Sequence, residues 1–192
     1  MEEVVALLLK NQSSKLIFMK YWPVPNSYSK KVPIKGAAGS FWEDRGDRRH
    51  CGIDIYAPKG SKVISIDNGK IIDIDIFTSP NILPYWNLTK YIMIQNKEDL
   101  FFKYAELADI TVDIGQVIKA GDIIGTVGSV LKLNKIYHKS PKYIQEIKKN
   151  KNSSMLHFEI YSSIPSKSNK YLGGNWFGDK KPKHILNPNN HL

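Results

Sequence analysis

From residue 52 onward, hydrophobic and polar positions alternate with a period of two over much of the chain. Ile53 and Ile55 alternate with Asp54 and Tyr56, the pattern of a strand with one buried face. Val63 to Ile66, then Asp67-Asn68-Gly69, then Lys70 to Ile76 predict a β-hairpin, because Asn-Gly supplies the positive φ of a tight turn between twisted strands. In the second arm Ile72, Ile74 and Ile76 alternate with Asp73 and Asp75, which predicts a buried face and a wet face. Tyr91 to Gln95 and Leu100 to Leu107 read as a further antiparallel pair. By the same rule Phe102, Tyr104 and Glu106 share one face of their strand. Met155 to Tyr161 returns to strict alternation, with Leu156, Phe158 and Ile160 on one face and Met155, His157 and Glu159 on the other.

Other segments break this period. Residues 2–11 favour a helix, and Trp22-Pro23-Val24-Pro25 cannot continue one, since proline lacks the backbone donor and restricts its neighbour. Residues 26–49 are polar and irregular, with a mixed-charge loop at Asp44, Arg45, Asp47, Arg48 and Arg49. Residues 129–153 interrupt the strands with a lysine-rich insertion, helical from Pro141 to Lys149. This organisation predicts an all-β domain of short antiparallel strands at 21–192, preceded by a short helical extension at 1–20. The insertion is expected on the surface, beside any groove, and more mobile than the strands.

Composition narrows the partners. The 192 residues carry a formal net charge of +10, which favours an anionic partner (nucleic acid, an anionic lipid surface or a polyanionic cell-wall polymer) or else reflects a compositional bias toward Lys, Asn and Ile. Seven lysines fall in the insertion alone, opposed there by Glu146. No nucleic-acid-binding signature accompanies them, and the aromatics are not interleaved as stacking platforms, so nucleic acid is not expected. No segment has the apolar length of a membrane span, and the Met-Glu-Glu start is not that of a secretory signal. Cys51 is the sole cysteine, which excludes an intrachain disulfide.

Two segments offer chemistry. In His50-Cys51-Gly52-Ile53-Asp54 the imidazole and carboxylate could share a metal. Gly52 and the β-branched residues after it argue against a helix, and in a straight strand the two α-carbons would lie about 13 Å apart. A shared ion therefore requires a bend, for which Gly52 is suited; the other reading is a surface loop followed by an ordinary strand aspartate. His157, central in its strand, is either a ligand on a rigid platform or a hydrogen-bonded strand histidine. Alternation points Cys51 away from any such site.

Together these segments belong to an ordered set of motifs. Trp22-Pro23-Val24-Pro25, His50-x-Gly52-x-Asp54-Ile55, Ala57-Pro58-x-Gly60, Gly69-Lys70-Ile71 and Tyr104-Ala105-x-Leu107 come first. Val117-x-Lys119-Ala120-Gly121-Asp122-x-Ile124-Gly125, Leu156-His157-Phe158-Glu159 and Asn187-Pro188 follow. The set resembles the LytM/lysostaphin family of zinc endopeptidases, which cut peptide cross-links of bacterial cell walls. The resemblance runs over roughly residues 20–190 and implies an antiparallel sheet with a central groove, of the duplicated-hybrid-motif type. It implies zinc held by His50, Asp54 and His157, with an open fourth position as in a catalytic site, and Glu159 orienting a ligand. It also implies a cell-envelope location, with peptidoglycan and a partner wall hydrolase as the expected partners.

Two positions depart from the family. Its Tyr-Ala-His-Leu block carries Glu106 here in place of histidine, and its His-x-His pair carries Met155 as the first member. The family's proton-handling histidines are thereby replaced while the ligands are kept. Glu106 is then a general base in a zinc endopeptidase, a fourth ligand closing the site, or a residue of a catalytically inactive domain that binds the wall or regulates its hydrolases.

Overall fold

The structure is a computed structural model that describes residues 21–192; the N-terminal extension and its expected helix lie outside the described residues. Twelve strands and one α-helix are present among them: β1 (Arg49–His50), β2 (Ile53–Tyr56), β3 (Lys62–Ile64), β4 (Gly69–Thr78), β5 (Thr89–Gln95), β6 (Phe101–Ile110), β7 (Val117–Ile118), β8 (Ile123–Ser129), α1 (Lys142–Asn150), β9 (Ser154–Tyr161), β10 (Tyr171–Leu172), β11 (Asn175–Trp176) and β12 (Ile185–Leu186). A nine-stranded antiparallel sheet runs β12-β9-β8-β6-β5-β4-β7, with β2 on β9 and β3 on β8. A small sheet orders β1-β11-β10 beside it. The all-β antiparallel class expected from the alternation is therefore the observed one.

Strand β9 is the hub, pairing with β2, β6, β8 and β12. Its alternation is exact enough to sort chemistry by face. Leu156, Phe158 and Ile160 enter the main core with Ile53, Ile55, Phe102, Tyr104 and Leu107. On the other face lie Met155, His157, Glu159 and Tyr161, with an apolar cluster at each end. Met155 packs with Trp86, Val130, Leu131, Ile136 and Ile144, and Tyr161 packs with Cys51, Met93, Phe101 and Ile185. The polar pair His157 and Glu159 is left between two greasy walls that exclude water from it.

Two local expectations fail and a third holds in part. The hairpin through Asp67-Asn68-Gly69 does not form, because β3 pairs with β8 while β4 pairs with β5 and β7. The would-be turn is instead tied across to the 119–122 segment: Asn68 Oδ1 accepts from Ala120 N, and Gly121 N donates to Ser65 O. Gly69 is needed for close approach, since a Cβ there would lie 2.5 Å from Gln95 O. The isoleucine face of β4 is not uniformly buried, Ile76 being 51% exposed. Register shifts at Ile71/Asp73 and Ile76/Thr78 interrupt the period and bury Ile71 and Phe77 instead. Finally, the insertion is not simply surface: Ile136 and Ile144 are buried against Trp86 and Met155, while its helix α1 keeps its lysines outward as an amphipathic element does.

Candidate metal centre

His50 closes β1 in the small sheet and Asp54 lies in β2 of the large one, so the four-residue separation spans a change of sheet. Gly52 makes the crossing possible through contact rather than through φ: a Cβ there would sit 2.3 Å from Phe158 O. Asp54 faces His157 directly in the β2–β9 register. As a result His50 Nε2, Asp54 Oδ1 and His157 Nδ1 converge, at 2.9 Å between the nitrogens and 3.1 and 3.0 Å from them to the oxygen. All three side chains are buried. They form the cluster of metal-ligating type found among the described residues.

The hydrogen-bond partners decide what this triangle can hold. His50 Nδ1 lies 2.9 Å from Ser40 O, and a carbonyl only accepts, so the ring proton sits on Nδ1 and Nε2 is bare. His157 Nε2 lies 2.8 Å from Glu159 Oε1. Burial works against the Glu159 charge, but Lys103 and His157 outweigh it and hold the carboxyl down at about 2. Glu159 therefore accepts, and in neutral His157 the bare nitrogen is Nδ1. In that state two lone pairs and a carboxylate oxygen face one point with no proton among them. That is a donor set for a cation. The edges are a few tenths of an ångström shorter than the roughly 3.3 Å of a zinc tetrahedron, so the triad fits zinc with slight expansion. In its place a proton does part of the work. Burial opposes charge on His157, yet Glu159 and Asp54 raise it to about 9, while burial and Arg45 lower His50.

A second layer holds the ligands. Asp54 accepts from Arg45 Nη2 through Oδ2 at 3.0 Å, and Gly39 O accepts from Asp54 N. Phe77 stacks on His157 at 5.5 Å, and Gly174 lies so close to that ring that a Cβ would come within 2.6 Å of Nε2. Behind Glu159, the hydroxyls of Tyr161 and Tyr171 donate to its carboxylate, and Lys103 Nζ donates to Tyr171 Oη at 3.0 Å. Lys103 is buried among Tyr91, Tyr171 and Phe77, 4.4–5.2 Å from the ring centres. Sequence reading passed over Arg45 and Lys103. A lysine inside the otherwise apolar Phe101–Ala105 run was a usable signal; nothing in the mixed-charge loop distinguished Arg45 from its neighbours.

Glu106 reaches the site by a route that alternation does not foresee. Phe102 and Tyr104 point into the main core, and Tyr104 Oη accepts from Ile66 N. The face shared with His157 and Glu159 is that of Ala105 and Lys103, their register partners. Between the pairs Ile92↔Tyr104 and Lys90↔Leu107, β6 carries one residue more than β5. This bulge contains Glu106 at φ 64°, and the extra residue turns its carboxylate to the ligand side. There Asp54 raises its pKa further after burial has done most of the work, to about 8, against the pull of His157 and Arg45. Glu106 Oε2 is buried with no hydrogen-bond partner among the described residues. Met155 contributes no polar group, Cys51 is in the apolar cluster with Tyr161, and His184 stacks on Tyr161 away from the triad.

An antiparallel β domain with a buried His-Asp-His donor set is the frame of a metallopeptidase-type domain. Residues 48–170 match the model of peptidase family M23, and the chain belongs to that family. It is 37% identical over 78 residues to the uncharacterised lipoprotein YgeR of Escherichia coli, covering 41% of this chain and 28% of that protein. It is 25% identical over 113 residues to the cell division protein DipM of Caulobacter vibrioides, covering 59% of this chain and 16% of that one. The chain thus spans less than a third of either relative. The catalytic domain of the antimicrobial peptidase lysostaphin from Staphylococcus simulans aligns with a TM-score of 0.44 and 20% identity, over 88% of this chain and 86% of that domain.

Proposed function

We propose that this chain is a zinc-binding endopeptidase-like domain of the bacterial cell envelope that hydrolyses peptide cross-links of peptidoglycan. Residues 21–192 are its domain and 129–153 an insertion within it. The observation that carries the reading is the convergence of two imidazole nitrogens and a carboxylate oxygen on one point, with the far nitrogen of each ring held by an oxygen acceptor. Zinc, when held by His50, Asp54 and His157, supplies polarisation of the scissile carbonyl and acidification of the attacking water. Asp54 and His157 are kept in place by Arg45 and Glu159. Glu106 accepts the proton: its carboxylate is on the ligand side and buried, and its Oε2 has no hydrogen-bond partner among the described residues. The basic surface and the lysines of the insertion suit an anionic wall polymer.

A second reading has one specific observation in its favour. Met155, where the family places a histidine, is sealed in an apolar cluster by the insertion, so that side of the site has no proton donor. In this reading the domain binds the wall or regulates a partner hydrolase without cutting. The deciding experiment incubates zinc-loaded protein with purified peptidoglycan and follows released amino groups, beside the Glu106→Gln protein. Release by the former alone supports hydrolysis with Glu106 as base. Binding to sacculi with no release by either supports the second reading.

A further inference from the structure

Arg45 belongs to a loop of mixed charge, yet its side chain is 8% exposed and each of its three guanidinium nitrogens has a polar partner. Nη2 lies 3.0 Å from both Asp54 Oδ2 and Glu43 Oε2, Nε donates to Glu43 Oε2 at 3.0 Å, and Nη1 donates to Asn175 Oδ1 at 3.2 Å. Glu43 is itself fixed by Gly39 N at 2.9 Å, and Gly39 is the residue whose carbonyl accepts from Asp54 N. Asn175 is the register partner of His50 across β1 and β11. The guanidinium thus touches the surroundings of two ligands at once. Its open face is closed by the insertion, with the Tyr143 ring 4.6 Å from Cζ.

A carboxylate can offer zinc one oxygen or two. Here Oδ1 faces His50 and His157 while Oδ2 is taken by a charge-assisted hydrogen bond. We infer that Arg45 is a positioning residue that restricts Asp54 to one-oxygen coordination, and that Tyr143 of the insertion holds Arg45 in that role. This rests on the zinc-centre reading above. Keeping one carboxylate oxygen off the ion leaves a coordination position for water or substrate, which a two-oxygen aspartate would occupy. The planar fork of arginine suits this better than an ammonium, because three of its nitrogens are used in fixed directions. The insertion thereby acquires a part in the metal centre although none of its residues is a ligand.

The test replaces zinc by cobalt(II), whose visible absorption is intense for four-coordinate ions and weaker for higher coordination. Wild-type protein should give the intense spectrum. Arg45→Met should give a weaker one as Asp54 swings in its second oxygen, with zinc affinity, measured by chelator competition, changed by about 10-fold or more. Arg45→Lys should be intermediate, Tyr143→Ala should move part of the way, and Tyr143→Phe should match wild type, since the ring and not the hydroxyl faces the guanidinium. A merely structural role would lower melting temperature and leave the cobalt spectrum alone. Unchanged spectra in folded Arg45→Lys and Tyr143→Ala proteins would overturn the inference even if Arg45→Met does not fold. If wild-type protein binds neither cobalt nor zinc, the metal-centre reading itself falls.

Discussion

His50 Nε2 and His157 Nδ1 lie 2.9 Å apart, and the other nitrogen of each ring is already committed to an oxygen acceptor. Without a metal, a proton on His157 Nδ1 lies between these nitrogens and Asp54 Oδ1, and a dication can take its place with all three as donors. Purified protein should therefore contain about one equivalent of zinc, and His157→Ala should remove most of it, because a site with three protein ligands does not readily survive the loss of one. Elemental analysis measures this. Equal zinc in the wild type and in a double His50→Ala, His157→Ala protein would remove the site from consideration.

Without metal, the same charges make stability depend on pH. Glu106 is raised from 4.5 to about 8 and His157 from 6.5 to about 9. Both bind a proton more tightly folded than unfolded, so each contributes a term that weakens as pH rises: Glu106 between about 4.5 and 8, His157 between about 6.5 and 9. The melting temperature of zinc-free protein should fall steadily from pH 6 to pH 9. Zinc should reverse the trend, since a dication replaces the proton and binds better as protons leave. Thermal scans with and without chelator test both halves; a flat metal-free profile would contradict the arrangement.

The support behind His157 should also be measurable. Lys103 is what keeps Glu159 charged in a dry pocket, together with His157 and the two tyrosine hydroxyls. Lys103→Met should leave Glu159 without its main counter-charge, and Glu159→Gln should loosen the tautomer of His157. Either change is expected to weaken zinc binding by about 10- to 100-fold. Chelator competition reads the affinity, and wild-type affinity in both variants would show the network to be only structural.

How far the sequence reached follows from which rule governed each residue. Strands β2 and β9 obey the period of two over their whole lengths, and the antiparallel class followed from alternation of this kind, whereas the grouping of Asp54 with His157 came from the resemblance carried by the ordered motifs. Glu106 was placed on the right strand but by the wrong logic. Alternation assigned it to the face of Tyr104, whereas one extra residue in β6 moved it to the other side. A bulge is a property of two strands' relative length, which a single strand's pattern does not carry. The Asn68-Gly69 turn failed for a similar reason. The glycine answered a close approach by Gln95 O from β5, a tertiary contact. Arg45 was unreadable because its partners lie at Asp54, Tyr143 and Asn175, brought together only by the fold.

Restoring the family histidine at residue 155 should be costly. Met155 is 2% exposed and is packed by Trp86, Val130, Leu131, Ile136 and Ile144. An imidazole there would lose its water without gaining a partner, at about 1–3 kcal/mol. Met155→His should lower the melting temperature, whereas Met155→Leu, close in volume, should be nearly neutral. A Met155→His protein as stable as wild type would mean that the insertion yields easily and that this end of the groove opens.

Glu106 carries the choice between the two functional readings. Its φ of 64° is unusual for a residue with a side chain, a backbone cost of order 1–3 kcal/mol that persists where something else fixes the conformation. Its buried Oε2 has no partner among the described residues. Both features cost stability, and both are accounted for if the carboxylate serves the reaction. Its pKa of about 8 refers to the site without a dication; zinc nearby favours the anion and lowers it. A base of this kind predicts cleavage that rises with pH along a limb lying below 8 and then levels. Glu106→Gln should keep its zinc and lose about 10²- to 10⁴-fold in cleavage, while Glu106→Asp should keep part of it. A ligand predicts otherwise: zinc affinity would fall in Glu106→Gln, and the wild type would cut poorly at every pH. Zinc content and wall-peptide cleavage, measured across pH for the three proteins, separate these outcomes. Cleavage by Glu106→Gln at the wild-type rate would exclude Glu106 from the chemistry altogether.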